Sequence, residues 1–435
     1  MGSEVGRIVS SLGLRYAELP GGERFAAPVR ARGRAGARSG VRRLVDVPVF
    51  PQLPSRLSAA MGSEIDRNPQ AEDAFYLNVW APEGARDLPV LVFLHGGAWT
   101  TGGGSAAWYD GSVLAASGLV VVTVNYRVGP LAHLQPVDTE VLHNRPLEDL
   151  LLALEWVQEN VSSYGGDPGE VTVAGHSAGG WYAHALSVHP AARGLVTRAA
   201  LLSMGTEPGR SPELAREITA RVQASTGDES LQQVPIGTLL EAGRDALATP
   251  RALGDLPRSY LPAIGEFSSP DVWDPVAAAA ACHVDAVYIR TTASETGIFS
   301  FADPGDRAVA DEQVDRLVEA WDAPPPAGDT PYERLIAVTT WRHFSRFATE
   351  LAIAHRAAGR VVQLERFDER SPLDGLGAAH CFDLPFQFGN RPLWGDAPML
   401  AGVHPVRFAE VSARWVANLA GFVRGEIGRK NSISY

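Results

Sequence analysis

Cysteine is nearly missing from this chain: Cys282 and Cys381 are the only two among 435 residues. Two cysteines make no disulfide framework, and their scarcity suits a reducing, cytoplasmic setting. No run of ~18 uninterrupted apolar residues occurs, so no transmembrane helix is expected. The start, Met1-Gly2-Ser3-Glu4-Val5-Gly6, has no basic segment followed by an apolar one, so no secretory signal is expected. Gly6 also stands where a myristoylation signal wants Ser or Thr. Positive charge is scarce as well. Lys and Arg number 38 against 50 Asp and Glu, a net charge of -12 that repels nucleic acid and anionic membrane surfaces; neither is expected as a partner. The one basic cluster (Arg30, Arg32, Arg34, Arg38, Arg42, Arg43) lies in a Gly- and Ala-rich stretch and reads as a solvated loop. The histidines show no H-E-x-x-H or comparable ligand spacing, so neither a metal nor an organic cofactor is expected. No pattern speaks to oligomeric state.

Apolar residues make up 45% of the chain and charged residues 20%, a balance with ample material for a core. Strand-like and helix-like runs alternate. Val45–Phe50 and Phe75–Trp80 read as short strands. Pro89–His95 and Leu119–Tyr126 are near-continuous Val-rich runs, as in strands buried on both faces of a mainly parallel sheet. Leu147–Asn160 carries apolar residues at helical spacing. Val171–Ala174 reads as a strand, Ala178–Val188 as a helix and Ala199–Ser203 as the next strand. Residues 208–282 change character, with helices over Ser211–Ala224 (Ser211 as N-cap) and Ile236–Ala248 between Pro- and Ser-rich loops. Val284–Arg290 and Arg360–Phe367 read as further strands. Glu312–Ala320, Tyr332–His355 and Val406–Val423 read as helices. This order predicts a doubly wound α/β sheet in a single domain over 1–435. A helical insertion at about 208–282 covers the sheet edge, and a further helical segment lies at about 308–358.

The most informative stretch is Gly175-His176-Ser177-Ala178-Gly179-Gly180, directly after Val171-Thr172-Val173-Ala174. It is G-x-S-x-G between a strand and a helix, a turn so tight that flanking side chains would clash. Such a turn holds a serine hydroxyl out at the C-terminal edge of a sheet. A nucleophilic serine then needs an oxyanion hole, an acid and a base. Leu94-His95-Gly96-Gly97-Ala98-Trp99 follows an earlier strand, and its small residues let a carbonyl approach the main chain, with the N–H of Ala178 as a further donor. Glu295 lies just past the strand Val284–Arg290, whereas Asp285 sits at the wrong end of it; Asp303 and Asp306 remain as other acids. Among eleven histidines, His343 and His355 fall in a helical pattern. His380 follows the strand Arg360–Phe367 behind Gly375-Leu376-Gly377-Ala378-Ala379, small residues that allow a close approach. His404 lies farther downstream, before the closing helix. The order Ser, Glu, His is that of α/β-hydrolases.

These stretches together resemble the type-B carboxylesterase/cholinesterase family from about Val49 to Asn390. The likeness also rests on Glu72-Asp73-Ala74-Phe75-Tyr76-Leu77-Asn78-Val79-Trp80, Asn125-Tyr126-Arg127-Val128-Gly129-Pro130, Ala153-Leu154-Glu155-Trp156, Gly165-Gly166-Asp167-Pro168 and His380-Cys381-Phe382-Asp383. The resemblance implies an α/β-hydrolase fold with a helical cap, and a serine ester hydrolase. It implies Ser177 as nucleophile, Glu295 as acid, His380 as base and Gly97, Ala98 and Ala178 as oxyanion donors. The chain departs from the family in places. His176 stands where Glu is usual, Asp383 where Glu is usual, Ala74 where many members have Cys, and Pro146 and Leu150 where Gly and Gln are common. The chain is shorter than most members, which implies a trimmed cap.

Trp99, Trp108, Tyr109, Trp181, Phe267, Phe299, Trp341 and Phe382 fall in or near loops expected at the sheet's C-terminal edge. With His133 and His176 they suggest a hydrophobic pocket for an uncharged or weakly polar small-molecule ester. The same triad could serve a biosynthetic acyl-transfer, cyclisation or elimination enzyme, because fold and triad do not separate these chemistries. A non-catalytic binding protein is the third reading; the intact Ser177, Glu295 and His380 set speaks against it.

Overall fold

The computed structural model describes residues 6–32, 43–63, 67–135, 142–227, 229–265, 270–395, 397–426 and 433–434. Arg34, Arg38 and Arg42 of the basic cluster, and Phe267, lie outside the described residues.

The strands are β1 (Ile8–Arg15), β2 (Ala17–Glu18), β3 (Val29–Arg30), β4 (Tyr76–Pro82), β5 (Leu88–Leu94), β6 (Val120–Val124), β7 (Gly166–His176), β8 (Arg198–Leu202), β9 (Ala286–Thr292), β10 (Val361–Phe367) and β11 (Ile433–Ser434). Among the described residues, all but the β2–β3 ribbon form a nine-stranded sheet in the order β1-β4-β6-β5-β7-β8-β9-β10-β11. Pairing is antiparallel at the β1–β4–β6 edge and parallel from β6 to β11. The Val-rich runs explain the parallel part. Val90, Val92 and Leu94 of β5 enter the core on one face, and Leu91 and Phe93 enter the core on the other. A strand covered on both faces has no polar side to show, so its sequence reads as an unbroken apolar run. Helices Arg145–Asn160 and Ala178–Val188 contribute to the first core; Pro405–Val423 packs in the second.

The strand order reverses at β5, which is flanked by β6 on one side and β7 on the other. Loops leaving the C-terminal ends of the central strands diverge at such a reversal and open a crevice there. Leu94 of β5 is in register with Gly175 of β7, and His176 with Leu202 of β8. The His95–Trp99 loop and the Ser177 turn therefore leave adjacent strands side by side.

Two expectations change, and one edge strand is not read from the sequence at all. Val45–Phe50 is no strand: Leu44–Asp46 is a 3-10 turn and only Val49 bridges, to Gln70. Pro48 and Pro51 flank that residue and supply no N–H to a ladder. The helix expected over Tyr332–His355 is two, Pro331–Thr340 and Arg346–Ala357, joined by a π-helical turn at Trp341–Ser345. The edge strand β1 shows no clean alternation because its register slips between Ser11 and Leu14, around Gly13 at φ +65°. In the region after β8, helices Pro212–Thr226 and Ile236–Ala246 form, the first capped by the Ser211 hydroxyl, which accepts from the Leu214 amide at 3.3 Å. Among the described residues no helix is long and apolar enough to cross a membrane.

Candidate active site

Ser177 sits between β7 and the helix Ala178–Val188 with φ +57° and ψ -120°, a conformation that costs a non-glycine residue roughly 1–3 kcal/mol. Its surroundings enforce the strain. A Cβ on Gly175 would lie 2.1 Å from the Gly179 carbonyl oxygen, and one on Gly179 would lie 2.1 Å from that of Leu94. The Ser177 amide donates to the Leu202 carbonyl at 2.9 Å, which ties the turn to β8. Ser177 is half-buried, unlike the fully buried residues on either side. Its place at a helix N-terminus adds a favourable dipole for negative charge.

The loop after β5 presses against this turn: a Cβ on Gly96 would come 3.0 Å from the Ser177 Cβ. Gly97, Ala98 and Trp99 all have positive φ (+128°, +53° and +57°). Any side chain at Gly97 would collide with the Thr101 carbonyl oxygen, 1.9 Å from an added Cβ. The Thr100 and Thr101 amides both donate to the Gly97 carbonyl at 3.0 Å, locking the turn. Ala178, the first residue of the helix, is buried beside it.

Glu295 and His380 arrive from the ends of β9 and β10. The His380 Nδ1 lies 2.6 Å from Glu295 Oε2. The other carboxylate oxygen accepts from the Thr292 amide at 2.7 Å. An ionised carboxylate only accepts, so Nδ1 carries the proton and the Nε2 of a neutral His380 has a free lone pair. The backbones are also joined: the His380 amide donates to the Glu295 carbonyl at 3.1 Å, and Ser294 N–H donates to Ala378 O at 2.9 Å. Both side chains are buried. The other candidates lie apart from this pair. Asp303 caps the short helix Pro304–Arg307, Asp306 pairs with Arg251 at 2.5 Å, and Asp285 donates its amide to Thr197 at 2.9 Å at the opposite end of β9. His343 holds the Gly254 carbonyl at 2.8 Å, and His404 caps the closing helix.

His176 stacks obliquely on His380, with ring centroids 4.6 Å apart. Its Nε2 lies 3.5 Å from Asp383 Oδ1, and the other oxygen of Asp383 pairs with the fully buried Arg290. Burial pushes the His176 pKa down against the opposing pull of Asp383. Arg290 and His176 hold the Asp383 carboxyl well below its ordinary range, although burial acts the other way. Arg290 also contacts the Gln387 side chain and lies 5.0 Å over the Trp415 ring.

The aromatic residues divide. Phe299 lies 5.9 Å from the His380 ring, and Phe344, which the sequence reading passed over inside a helical run, lies nearer at 5.2 Å. Trp108 stacks on Trp394 at 4.8 Å and, with Tyr109, Gly96, Gly97, His176 and Cys381, lines a cavity of about 40 Å³. That is room for roughly three waters. Trp99 packs edge-on against Trp181 at 6.2 Å. Trp181 and Phe382 have no exposed surface; Trp181 donates to the Glu207 carbonyl at 3.1 Å, and Phe382 packs on Phe367 and Phe386. His133 is buried and stacked on Tyr260. Trp341 lines a cavity of about 590 Å³ over β9 and β10, away from Ser177 and His380.

Comparison with known proteins gives a consistent picture. The sequence model described as the carboxylesterase family matches residues 2–230. The chain is 33% identical over 437 residues to a phenmedipham hydrolase of Pseudarthrobacter oxydans, covering 93% of this chain and 85% of that protein. It is 32% identical over 360 residues to the para-nitrobenzyl esterase of Bacillus subtilis (strain 168), covering 79% of this chain and 72% of that protein. A solved PNB esterase structure superposes with a TM-score of 0.79 at 28% identity, covering 100% of this chain and 90% of that one. The sheet described above is thus an α/β-hydrolase sheet.

Proposed function

The chain belongs to the carboxylesterase family and is a carboxylesterase-type hydrolase, and on that premise we propose that it hydrolyses a hydrophobic small-molecule ester with Ser177 as nucleophile, His380 as base and Glu295 as its orienting acid. One observation carries the assignment. A buried carboxylate and imidazole, brought from two different strand ends, make a 2.6 Å contact; with Glu295 ionised, that contact takes the Nδ1 proton and leaves Nε2 free.

The steps follow from that arrangement. As Ser177 Oγ forms a bond to the acyl carbon, its proton passes to His380 Nε2, and the carbonyl π-electrons move onto oxygen. The amides of Gly97, Ala98 and Ala178 receive the resulting O⁻; being fixed by the turns that hold them, they need no reorganisation. The tetrahedral species collapses as the C–O bond to the alcohol breaks, and His380 returns the proton to the departing oxygen. Water then attacks the acyl-enzyme, gives its proton to His380, and the acid leaves as Ser177 regains its hydrogen. Glu295 stabilises the imidazolium in both halves and stays ionised. No metal or organic cofactor takes part in this reading. Trp108, Phe299 and Phe344 supply apolar surface near the reacting atoms, which supports an uncharged substrate.

The reading extends to one domain whose segment at about 208–282 acts as a small cap, and to a cytoplasmic setting, supported by two buried free thiols. The test is active-site labelling. A fluorophosphonate labels the wild-type protein stoichiometrically and leaves Ser177→Ala unlabelled, with aryl-ester turnover lost in parallel. An unlabelled wild-type protein overturns the proposal.

A further inference from the structure

Beside the nucleophile stand two buried side chains, His176 and Cys381, that have no role in the reaction above, and they meet the base His380. His176, His380 and Cys381 each offer a donor atom, these atoms lie within 4.8 Å of one another, and all three residues are buried. We infer that these three side chains form a binding site for a thiophilic divalent cation of the Zn²⁺ type, and that an ion seated there switches hydrolysis off. The sequence spacing hides the site, because His176 ends one strand and the other two lie in a loop about two hundred residues later.

The donors suit such an ion. Two imidazoles and a thiolate select borderline and soft cations, and exclude Mg²⁺ and Ca²⁺, which prefer oxygen. A tetrahedral zinc site with nitrogen and sulfur donors separates them by about 3.4–3.6 Å, so the widest pair here draws together by up to about 1.4 Å. Each ring has a carboxylate beside it. Glu295 lies 2.6 Å from Nδ1 of His380, and Asp383 lies 3.5 Å from Nε2 of His176. Carboxylates placed in this way orient metal-binding histidines and strengthen them as ligands. Three protein donors leave a fourth position for water.

Two features are otherwise unexplained. The first is strain. Cys381 has φ +70°, unusual for a residue with a Cβ. Consecutive side chains on an extended chain point to opposite sides; the turned backbone here delivers His380 and Cys381 to the same space. The second is an unsatisfied pair. Among the described residues neither His176 Nε2 nor Asp383 Oδ1 completes a hydrogen bond, although both are buried; an ion on His176 Nδ1 would fix the proton on Nε2, facing Asp383. His176 and Cys381 also border the roughly 40 Å³ cavity that touches Gly96 and Gly97, which gives an ion room beside the donors.

Inhibition follows from which electron pair the ion takes. His380 has one nitrogen committed to Glu295, so a metal bond must use Nε2, the lone pair that would accept the Ser177 proton. Binding also displaces the Cys381 thiol proton to solvent.

The test uses chelator-treated protein and two readouts. Co²⁺ added to the wild type gives a thiolate-to-cobalt charge-transfer absorption at one ion per chain, and Zn²⁺ competes it away. Zn²⁺ inhibits ester turnover reversibly, and EDTA restores it. In Cys381→Ser the absorption disappears and the Zn²⁺ concentration for half-inhibition, measured against that variant's own metal-free rate, rises at least tenfold. His176→Gln shows the same weakening, while Cys282→Ser keeps the wild-type absorption. Ser177→Ala keeps the absorption too, so the site is tested independently of whether the protein is an esterase. A wild-type protein without the absorption, or Cys381→Ser with Zn²⁺ inhibition unchanged, overturns the inference.

Discussion

His380 and Glu295 are joined twice, once through a 2.6 Å contact between side chains and once through a 3.1 Å hydrogen bond between their backbones. The double tie fixes the ring plane as well as the proton position. Glu295→Gln keeps the size of the side chain, but its amide can donate as well as accept and no longer demands Nδ1–H. The expected result is a fall in kcat of about 10³–10⁴-fold with KM little changed, since the loss is felt in the transition state. Steady-state kinetics with an aryl ester measure this; a fall of less than tenfold would remove Glu295 from the triad.

The choice of base is tested by a pair of variants. His404 caps the helix Pro405–Val423, its Nδ1 accepting from the Val406 amide at 3.3 Å, and it is exposed. His404→Ala should cost about 1 kcal/mol of stability and leave kcat near wild type. His380→Ala should abolish turnover by several orders of magnitude while its thermal unfolding stays cooperative. The reverse pattern would contradict the assignment.

Gly97 supplies a third test. Its φ of +128° and the 1.9 Å approach of an added Cβ to the Thr101 carbonyl mean that Gly97→Ala must move the turn. Displaced amides stabilise the oxyanion poorly, so kcat should fall about 10²–10³-fold. Labelling of Ser177 by a fluorophosphonate should slow in proportion, because that reaction also builds negative charge on oxygen. Full activity in Gly97→Ala would place the oxyanion donors elsewhere.

Much of this was legible in the sequence because local geometry forced local composition. Gly175 and Gly179 stand where a Cβ would strike a carbonyl, and the Val-rich runs mark strands covered on both faces. What could not be read was convergence across the chain. His176 was visible as a departure before the serine, yet its neighbour Asp383 and the buried Arg290 behind it come from distant strand ends. The same holds for Asp149 on the helix Arg145–Asn160, which pairs at 2.6 Å with Arg127 where both are fully buried. Phe344 sits in the π-helical turn at Trp341–Ser345, where the helical period slips and a count of apolar spacing misdirects the side chain. Trp181 shows the opposite error: a large aromatic just past the elbow invited a pocket role, and the structure buries it completely.

Acid should unfold this protein through its buried histidines. Burial lowers the pKa of His95 and His184 from 6.5 to about 4, and of His133 and His355 to about 3. Neither ring nitrogen of His355 has a hydrogen-bond partner among the described residues, and its nearest charged influences, His184 and Arg360, also oppose protonation. The unfolded chain takes up protons near pH 6.5 while the folded state refuses them until pH 4 or below. At pH 7 the four groups are mostly neutral in both states and cost little. As pH falls from 6.5 toward 4, the unfolded state gains protons first and folding stability declines, by up to about 2 kcal/mol per group at pH 5. Urea unfolding midpoints should therefore drop clearly between pH 7 and pH 5. His355→Leu removes one such group from an apolar site, so its midpoint should depend less steeply on pH than the wild type does. Parallel pH curves for the two proteins would show that His355 is not among the groups responsible.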